Sequence, residues 1–580
     1  MEVDVRRVIT IVASLALIAA GVATPAQAAL PKSADGAEAQ YLVLYKDGAS
    51  AADAQKAIQA AGGTVLTVNM DVGVATVSSA NTGFIDAVKG ASTIEGVARD
   101  RAIGSVPAQS RIQATAAQVA AAKAAAGVET EGREGAKAVS FKRNVKDEPL
   151  ADLQWDMKLI HADVAHKFDQ GDKRVLVGIL DTGVDGSHPD IAPNFDSGLS
   201  RNFTVDLPAD ANGTVIDGPC ASDPDGSCND PANVDENGHG THVASAIASP
   251  INKLGVAGVA PKVTLVNLRA GQDSGFFFTQ PTIDALTYAG NHGIDVVNMS
   301  YYVDPWLFNC ADNPADSPDE QLEQRTIVTA VQRALNFAHN RGVTLISAAG
   351  NGATDYTKTI QDASSPDFAS FPGQNPRSRT IPPSCISIPS EGQHVIDVSS
   401  VGISKRKAYY SDYGNGYIDV ASPGGDVYDT ADNTRDITKA TLAAYPESVG
   451  RAAGTIDAAG NPTTPAVVKD CNGSVCGYYQ YLQGTSMASP RAVGVAALII
   501  GKYGVRDFRN GGLTLPPDIV ETVLKATATK TPCPNPPAFT YTRILPTGQT
   551  VTATHTCEGT LFNNGFYGRG IVDALRAIGR

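Results

Sequence analysis

The chain runs to 580 residues, 43% of them apolar and 18% charged, with 46 Lys and Arg against 60 Asp and Glu for a formal charge of −14. Such a composition belongs to a soluble globular protein, and the length alone suggests about four domains. The acidic balance excludes nucleic acid as a partner, because binding it relies on a basic, phosphate-neutralising face, and it says nothing positive about a substrate.

Near the start of the chain stand Arg6-Arg7, an apolar stretch from Val8 to about Val22, and the exit Thr24-Pro25-Ala26-Gln27-Ala28. A positive start, a short apolar core and an Ala-x-Ala end predict a secretory signal peptide over residues 1–28, cleaved after Ala28. A membrane anchor is the weaker reading, since the run falls short of about 20 residues. No later segment is long and apolar enough to span a bilayer. The protein is therefore expected to be secreted and extracellular, with no membrane partner once the signal is removed. Arg6-Arg7 leaves twin-arginine export open beside the general route.

Next comes a compact alternation, with strands expected at 41–45, 64–68, 72–77 and 94–99 and helices at 50–61 and 83–89. This split βαβ pattern predicts a small α+β, ferredoxin-like domain over residues 29–105. Residues 106–148 read as a linker, Ala-rich at 114–127 and then polar and Gly-punctuated. The basic run Lys142 to Lys146 reads as a solvated surface rather than a processing signal.

From Pro149 to the C-terminus, strand-like runs at 175–180, 264–267, 296–299, 344–347, 394–398 and 418–421 alternate with helix-like segments at 239–248, 282–292 and 320–340. Alternation of this kind predicts an α/β domain over 149–580, a mostly parallel sheet covered by helices on both faces, with functional loops at its carboxyl edge. The eight cysteines fall in sequence-near pairs, Cys220 with Cys228, Cys310 with Cys385, Cys471 with Cys476 and Cys533 with Cys557. In an exported chain these are expected to form disulfides between neighbours, and the lack of any Cys-x2-Cys pair argues against zinc.

Four stretches carry chemistry. A strand-like run ends in Asp181-Thr182-Gly183, where a carboxylate stands at the carboxyl end of a buried parallel strand. His239, flanked by Gly238 and Gly240, opens a helix. Another strand-like run ends in Gly350-Asn351-Gly352. Gly484-Thr485-Ser486-Met487-Ala488-Ser489-Pro490 precedes an apolar helix and places Ser486 where unpaired N–H groups favour developing negative charge; Pro490 is expected in its first turn. Each alone reads as an Asx turn, a capping His, a left-handed Asn or an N-cap.

Together, in the chain order Asp, His, Asn, Ser, they resemble the subtilisin-like serine peptidases (subtilases). The resemblance implies a subtilisin-like fold and a serine endopeptidase with Asp181, His239 and Ser486 as its catalytic residues. Asn351, with the Ser486 backbone N–H, would form the oxyanion hole. It makes the 29–105 domain an inhibitory propeptide, so that the partners are protein or peptide substrates and the enzyme's own propeptide, and the mature enzyme a monomer. Maturation cleavage would fall in the 106–148 linker.

The resemblance also implies structural calcium, held by the Asp190 carboxylate, the Asn252 amide oxygen and the carbonyls of Pro250, Leu254 and Val256. Substrate would lie along Ser300, Tyr301, Tyr302, Ala349 and Gly350. Here the chain departs from the family, since Tyr301-Tyr302 follow Asn298-Met299-Ser300 where a small or aliphatic residue and Gly are usual. The acidic loop from Asp223 to Glu236 reads as solvated rather than as a second ion site, and His242 as a core residue. A catalytically silent peptide-binding or inhibitory relative is the rival reading; four intact site residues argue against it.

Overall fold

A computed structural model describes residues 39–100, 148–208, 217–222, 226–362, 365–366 and 378–580. The expected signal peptide, nearly all of the linker with its maturation site, and most of the stretch 209–225 lie outside these residues. Among the described residues, no helix is long and apolar enough to cross a membrane.

The small N-terminal unit runs β1 (Ala39–Tyr45), α1 (Ala51–Ala60), β2 (Thr64–Asn69), β3 (Val74–Ser79), α2 (Phe84–Val88) and β4 (Ile94–Asp100), an antiparallel sheet in the order β2-β3-β1-β4. Ser50 caps α1 by accepting from the Asp53 N–H. Alternation along β1 divides its side chains between two faces. Tyr41, Val43 and Tyr45 join Ile58 and Phe84 in the unit's own core. Leu42 and Leu44 face the other way and pack among the helices of the larger unit.

The larger unit opens with two short helices, α3 (Trp155–Leu159) and α4 (Ala162–Ala165), and then builds the central sheet. Its strands are β5 (Leu176–Leu180), β6 (Arg201–Asn202), β7 (Thr264–Arg269), β8 (Val296–Met299), β9 (Thr344–Ala348), β12 (Val395–Val401) and β13 (Val420–Pro423). Between β9 and β12 lies a two-stranded pair, β10 (Ile360–Asp362) and β11 (Arg379–Ile381). Among the described residues the central order is β13-β12-β9-β8-β5-β7-β6, parallel at every pairing.

Both faces are covered, which is why the strand runs read as continuously apolar. Along β8, Val296 enters the core shared with α5 (His239–Ala248) and α9 (Thr485–Tyr503). Its neighbour Val297 enters the opposite core, shared with α6 (Thr279–Asn291) and α7 (Pro318–Asn340). A capping box of Ser317 and Glu320 starts α7. The run from Thr485 to Ile500 in α9 is buried throughout, the mark of a helix at the centre of a core.

Pro490 is not in the first turn of α9 but is its sixth residue. A proline there deprives the Ser486 carbonyl of its helical donor. The Ser300 hydroxyl takes that place, donating to the Ser486 carbonyl at 3.1 Å.

The segment from 426 to 482 carries regular structure of its own. It contains β14 (Thr441–Ala444), α8 (Glu447–Ala452), β15 (Val467–Asn472) and β16 (Val475–Leu482), with the strands in the antiparallel order β14-β16-β15. All eight cysteines are paired, Cys220–Cys228, Cys310–Cys385, Cys471–Cys476 and Cys533–Cys557.

Candidate active site

Asp181 follows directly on β5, and His239 is the first residue of α5. The two segments meet closely because Gly240 has no side chain; a Cβ there would collide with the Gly183 carbonyl. His239 Nδ1 lies 2.6 Å from Asp181 Oδ1, which also accepts the Thr182 N–H at 2.9 Å. The Asp181 carboxylate is fully buried, and its second oxygen accepts no hydrogen bond among the described residues. Nδ1 donating to the carboxylate leaves Nε2 as the acceptor of the imidazole.

Asp235, expected in the solvated loop from Asp223 to Glu236, is instead buried and holds this corner in place. Its carboxylate accepts the Thr241 N–H at 2.9 Å, the Thr241 hydroxyl at 2.6 Å, the Gly238 N–H at 2.8 Å and the Thr182 hydroxyl at 3.1 Å. It therefore caps the start of α5 and ties it to the residue after Asp181. Burial pushes its carboxyl above the usual range.

A second support is the buried guanidinium of Arg269, whose Nε donates to the Thr182 carbonyl at 2.8 Å and which pairs with Asp206, Asp230 and Asp273 at 2.5–2.9 Å. Of the acidic loop expected to lie in solvent, Asp230 is buried against this cation. Burial and the neighbouring carboxylates push Asp273 up to about 9. His242 packs as expected, with Nε2 at 3.3 Å and 3.1 Å from the carbonyls of Thr441 and Gln480; burial lowers it to about 3, so it stays neutral.

Ser486, 7% exposed, is the second residue of α9, where an N–H has no intrahelical acceptor. Its hydroxyl donates to the Ser300 carbonyl at 3.4 Å, a long bond that leaves it free to turn. Asn351, just beyond β9, gives its side-chain oxygen to the Thr485 N–H at 2.8 Å and the Thr485 hydroxyl at 2.9 Å. The Thr485 hydroxyl oxygen in turn accepts the Gly350 N–H at 3.1 Å. With its oxygen engaged, Asn351 has its amide nitrogen left to donate. Buried Asn298 bridges Ser300 at 2.8 Å and Ser489 at 2.9 Å beneath the serine.

Ala349 is buried, while Gly350 is half-buried beside exposed Asn351. Tyr301 and Tyr302 are half-buried. Tyr301 turns back from the strand end and stacks on Phe277 with ring centroids 4.0 Å apart and planes 5° from parallel. Its ring packs against the core beside α6, and burial raises its hydroxyl above the ordinary tyrosine value.

At the expected calcium loop, Asp190 is fully buried, pairs with no Lys or Arg among the described residues, and is pushed up by that burial. The carbonyl oxygens of buried Pro250, Leu254 and Val256 accept no hydrogen bond among the described residues. Buried carbonyl oxygens without donors fit a hard cation, while the Asp190 carboxylate, which has no cationic partner, already accepts the Val256 N–H at Oδ2 at 3.1 Å and would exchange that bond to ligate one. One expected ligand is turned away. Asn252 presents its amide nitrogen to Asp190 at 2.9 Å and its oxygen to the Leu254 N–H at 2.8 Å, since a buried carboxylate draws N–H donors. Glu148 and Asp470, missed in the sequence, accept the N–H groups of Lys253, Leu254 and Gly255.

His339, His394 and Asp518 also bring ligand atoms within 4.8 Å of one another. The two imidazoles are stacked at 3.9 Å and only 16° from parallel, so their in-plane lone pairs run side by side instead of converging.

The chain is thus an α/β protein whose parallel sheet carries a carboxylate–imidazole pair at one strand end and a serine at the head of a buried helix. The description "Subtilase family" matches residues 172–541, well over half the chain, and the chain belongs to that family of serine endopeptidases. It is 27% identical over 355 residues to subtilisin DY of Bacillus licheniformis, a match covering 60% of this chain and 85% of that one. The fold is similar to that of the epidermin leader peptide processing serine protease of Staphylococcus aureus, with a TM-score of 0.59 at 19% identity, covering 93% of this chain and 98% of the other. It is also similar to that of fervidolysin from Fervidobacterium pennivorans, a keratinolytic enzyme, with a TM-score of 0.53 at 19% identity, covering 94% and 62%.

Proposed function

We propose that this is a secreted serine endopeptidase, made as an autoinhibited preproenzyme, that hydrolyses peptide bonds of protein or peptide substrates through an acyl-enzyme formed on Ser486. The observation that carries the reading is the 2.6 Å bond between His239 Nδ1 and the fully buried Asp181 carboxylate. A serine hydroxyl is a weak nucleophile at neutral pH. His239 Nε2 takes its proton as Oγ bonds to the scissile carbonyl carbon, and Asp181 steadies the imidazolium. The proton passes to the departing amine as the C–N bond breaks, and water repeats the cycle to release the acid and restore Ser486. The oxyanion is held by the Asn351 amide and the Ser486 N–H.

The small unit would be the inhibitor, and its docking on the larger unit supports that role. Asn69 donates to Asp284 at 2.7 Å and to Thr287 at 2.8 Å on α6. Arg333 on α7 donates to the Tyr45 carbonyl at 2.7 Å and pairs with Glu95 and Asp47. Four disulfides fit an extracellular location. Calcium would be structural, held by Asp190 and the carbonyls of Pro250, Leu254 and Val256, with Asn252 contributing once its amide turns over; it would stiffen the loop after α5 and take no part in the chemistry. The mature enzyme would act as a monomer.

The test is hydrolysis of an unfolded protein such as casein by the matured enzyme. Turnover by the wild type and its loss in Ser486→Ala are expected; a folded, matured wild type that releases no peptides contradicts the reading.

A further inference from the structure

The loop that carries Asn351 is fastened from below by a carboxylate to which the mechanism above gives no part. Asp412, 2% exposed, follows β12 and lies under residues 349–354. Its backbone N–H donates to the Gly350 carbonyl at 2.9 Å, and its Oδ1 accepts the Thr354 N–H at 2.6 Å. The Tyr356 hydroxyl, which donates to the Ala349 carbonyl, is 3.4 Å from Asp412 Oδ2. One residue thus reaches both ends of the turn and, through Tyr356, the residue that enters it.

The fit is close. Gly350 has φ +115°, in the left-handed region, and a Cβ built on it would collide with Asp412 Oδ2. Only glycine combines that backbone with contact against the carboxylate. Tyr410 and Tyr413, on either side of Asp412, extend the attachment: the Ala353 N–H donates to the Tyr410 carbonyl at 2.7 Å, and the Tyr413 N–H to the Thr354 carbonyl at 2.8 Å. Above the loop, Thr485 holds Asn351 to the helix bearing Ser486. Asn351 itself is exposed, so its placement depends on these attachments.

We infer that Asp412 is a positioning residue for the oxyanion hole, fixing the turn at 349–354 so that the Asn351 amide is aimed before substrate arrives. A donor contributes to catalysis only as far as it is held in place for the transition state, so a loosened turn costs turnover more than binding. The inference rests on the reading of Asn351 as an oxyanion donor.

The experiment is a double-mutant cycle on the matured enzyme with a chromogenic peptide amide. Asp412→Ala is expected to lower kcat by about 10- to 100-fold, within the roughly 10²–10³-fold cost of losing one such donor, while KM rises no more than about threefold. In an Asn351→Ala background the same substitution should change kcat by less than about threefold, because there is no donor left to aim. Asp412→Asn keeps an acceptor for the Thr354 N–H and should lose only about two- to fivefold in kcat. Should the alanine variant not fold, the cycle is run with the asparagine variant, whose loss must again vanish without Asn351. Full activity of Asp412→Ala, or equal losses in both backgrounds, overturns the inference and leaves the reading of Asn351 intact. Wild-type turnover by Asn351→Ala alone overturns that reading.

Discussion

Asn351 gives its side-chain oxygen to Thr485, one residue before Ser486, accepting its N–H at 2.8 Å and its hydroxyl at 2.9 Å. The end of one strand and the start of the central helix are thereby joined through a single amide. The same bonds leave the Asn351 nitrogen as the free end of that amide.

Thr485→Val removes the hydroxyl and keeps the shape. Asn351 loses one of its two donors and the Gly350 N–H its acceptor, so the amide should wander. A fall in kcat of about 3- to 30-fold, with the fold intact, is expected, against about 10²–10³-fold for Asn351→Ala, the loss known for such a donor in a subtilisin. Steady-state kinetics on a peptide amide measures both. An Asn351→Ala enzyme as fast as the wild type would contradict the role.

Asp295 predicts how stability responds to pH. It is buried between β5 and β9, accepts the Leu176 N–H at 2.8 Å, and burial pushes it up to about 8. Its folded value lies above the unfolded one of about 3.9, so its contribution is fully present below about pH 4 and is lost as pH rises through 8. His242, lowered to about 3, acts in the opposite sense, costing stability as pH falls below about 6.5. Asp295→Asn keeps the acceptor and cannot ionise. Thermal melts from pH 5 to 9 should fall less steeply for this variant than for the wild type, and equal slopes would count against the assignment.

Much of the frame was legible because periodicity and turn residues suffice for it. The runs at 296–299 and 344–347 predicted β8 and β9 to within a residue, since a strand buried on both faces has no alternative to continuous apolarity. The residues that position the site were not legible in the same way. Asp412 lies about sixty residues beyond the loop it holds, and Asp235 and Arg269 serve Thr182 from distant stretches. In the sequence each is one acidic or basic residue among many; only the fold makes it a partner. Pro490 was misplaced for a related reason. A helix tolerates it there because Ser300, nearly two hundred residues away, supplies the missing donor.

Calcium is tested by thermal melts of the matured protein with and without a chelator. A cation at 100 times its Kd stabilises by about 2.7 kcal/mol, so chelation should lower the midpoint clearly. Asp190→Asn should abolish the difference by weakening the site. Identical melts in calcium and in chelator would leave the loop as a hydrogen-bonded turn and nothing more.

Whether Asp181, His239, Asn351 and Ser486 act as one hydrolytic site is tested most directly by labelling with a fluorophosphonate, mapped by mass spectrometry. One label per matured molecule is expected, on Ser486, with none on Ser486→Ala and a much slower reaction for His239→Ala. A matured, folded wild type that stays unlabelled, or that is modified at another residue, would contradict a single site.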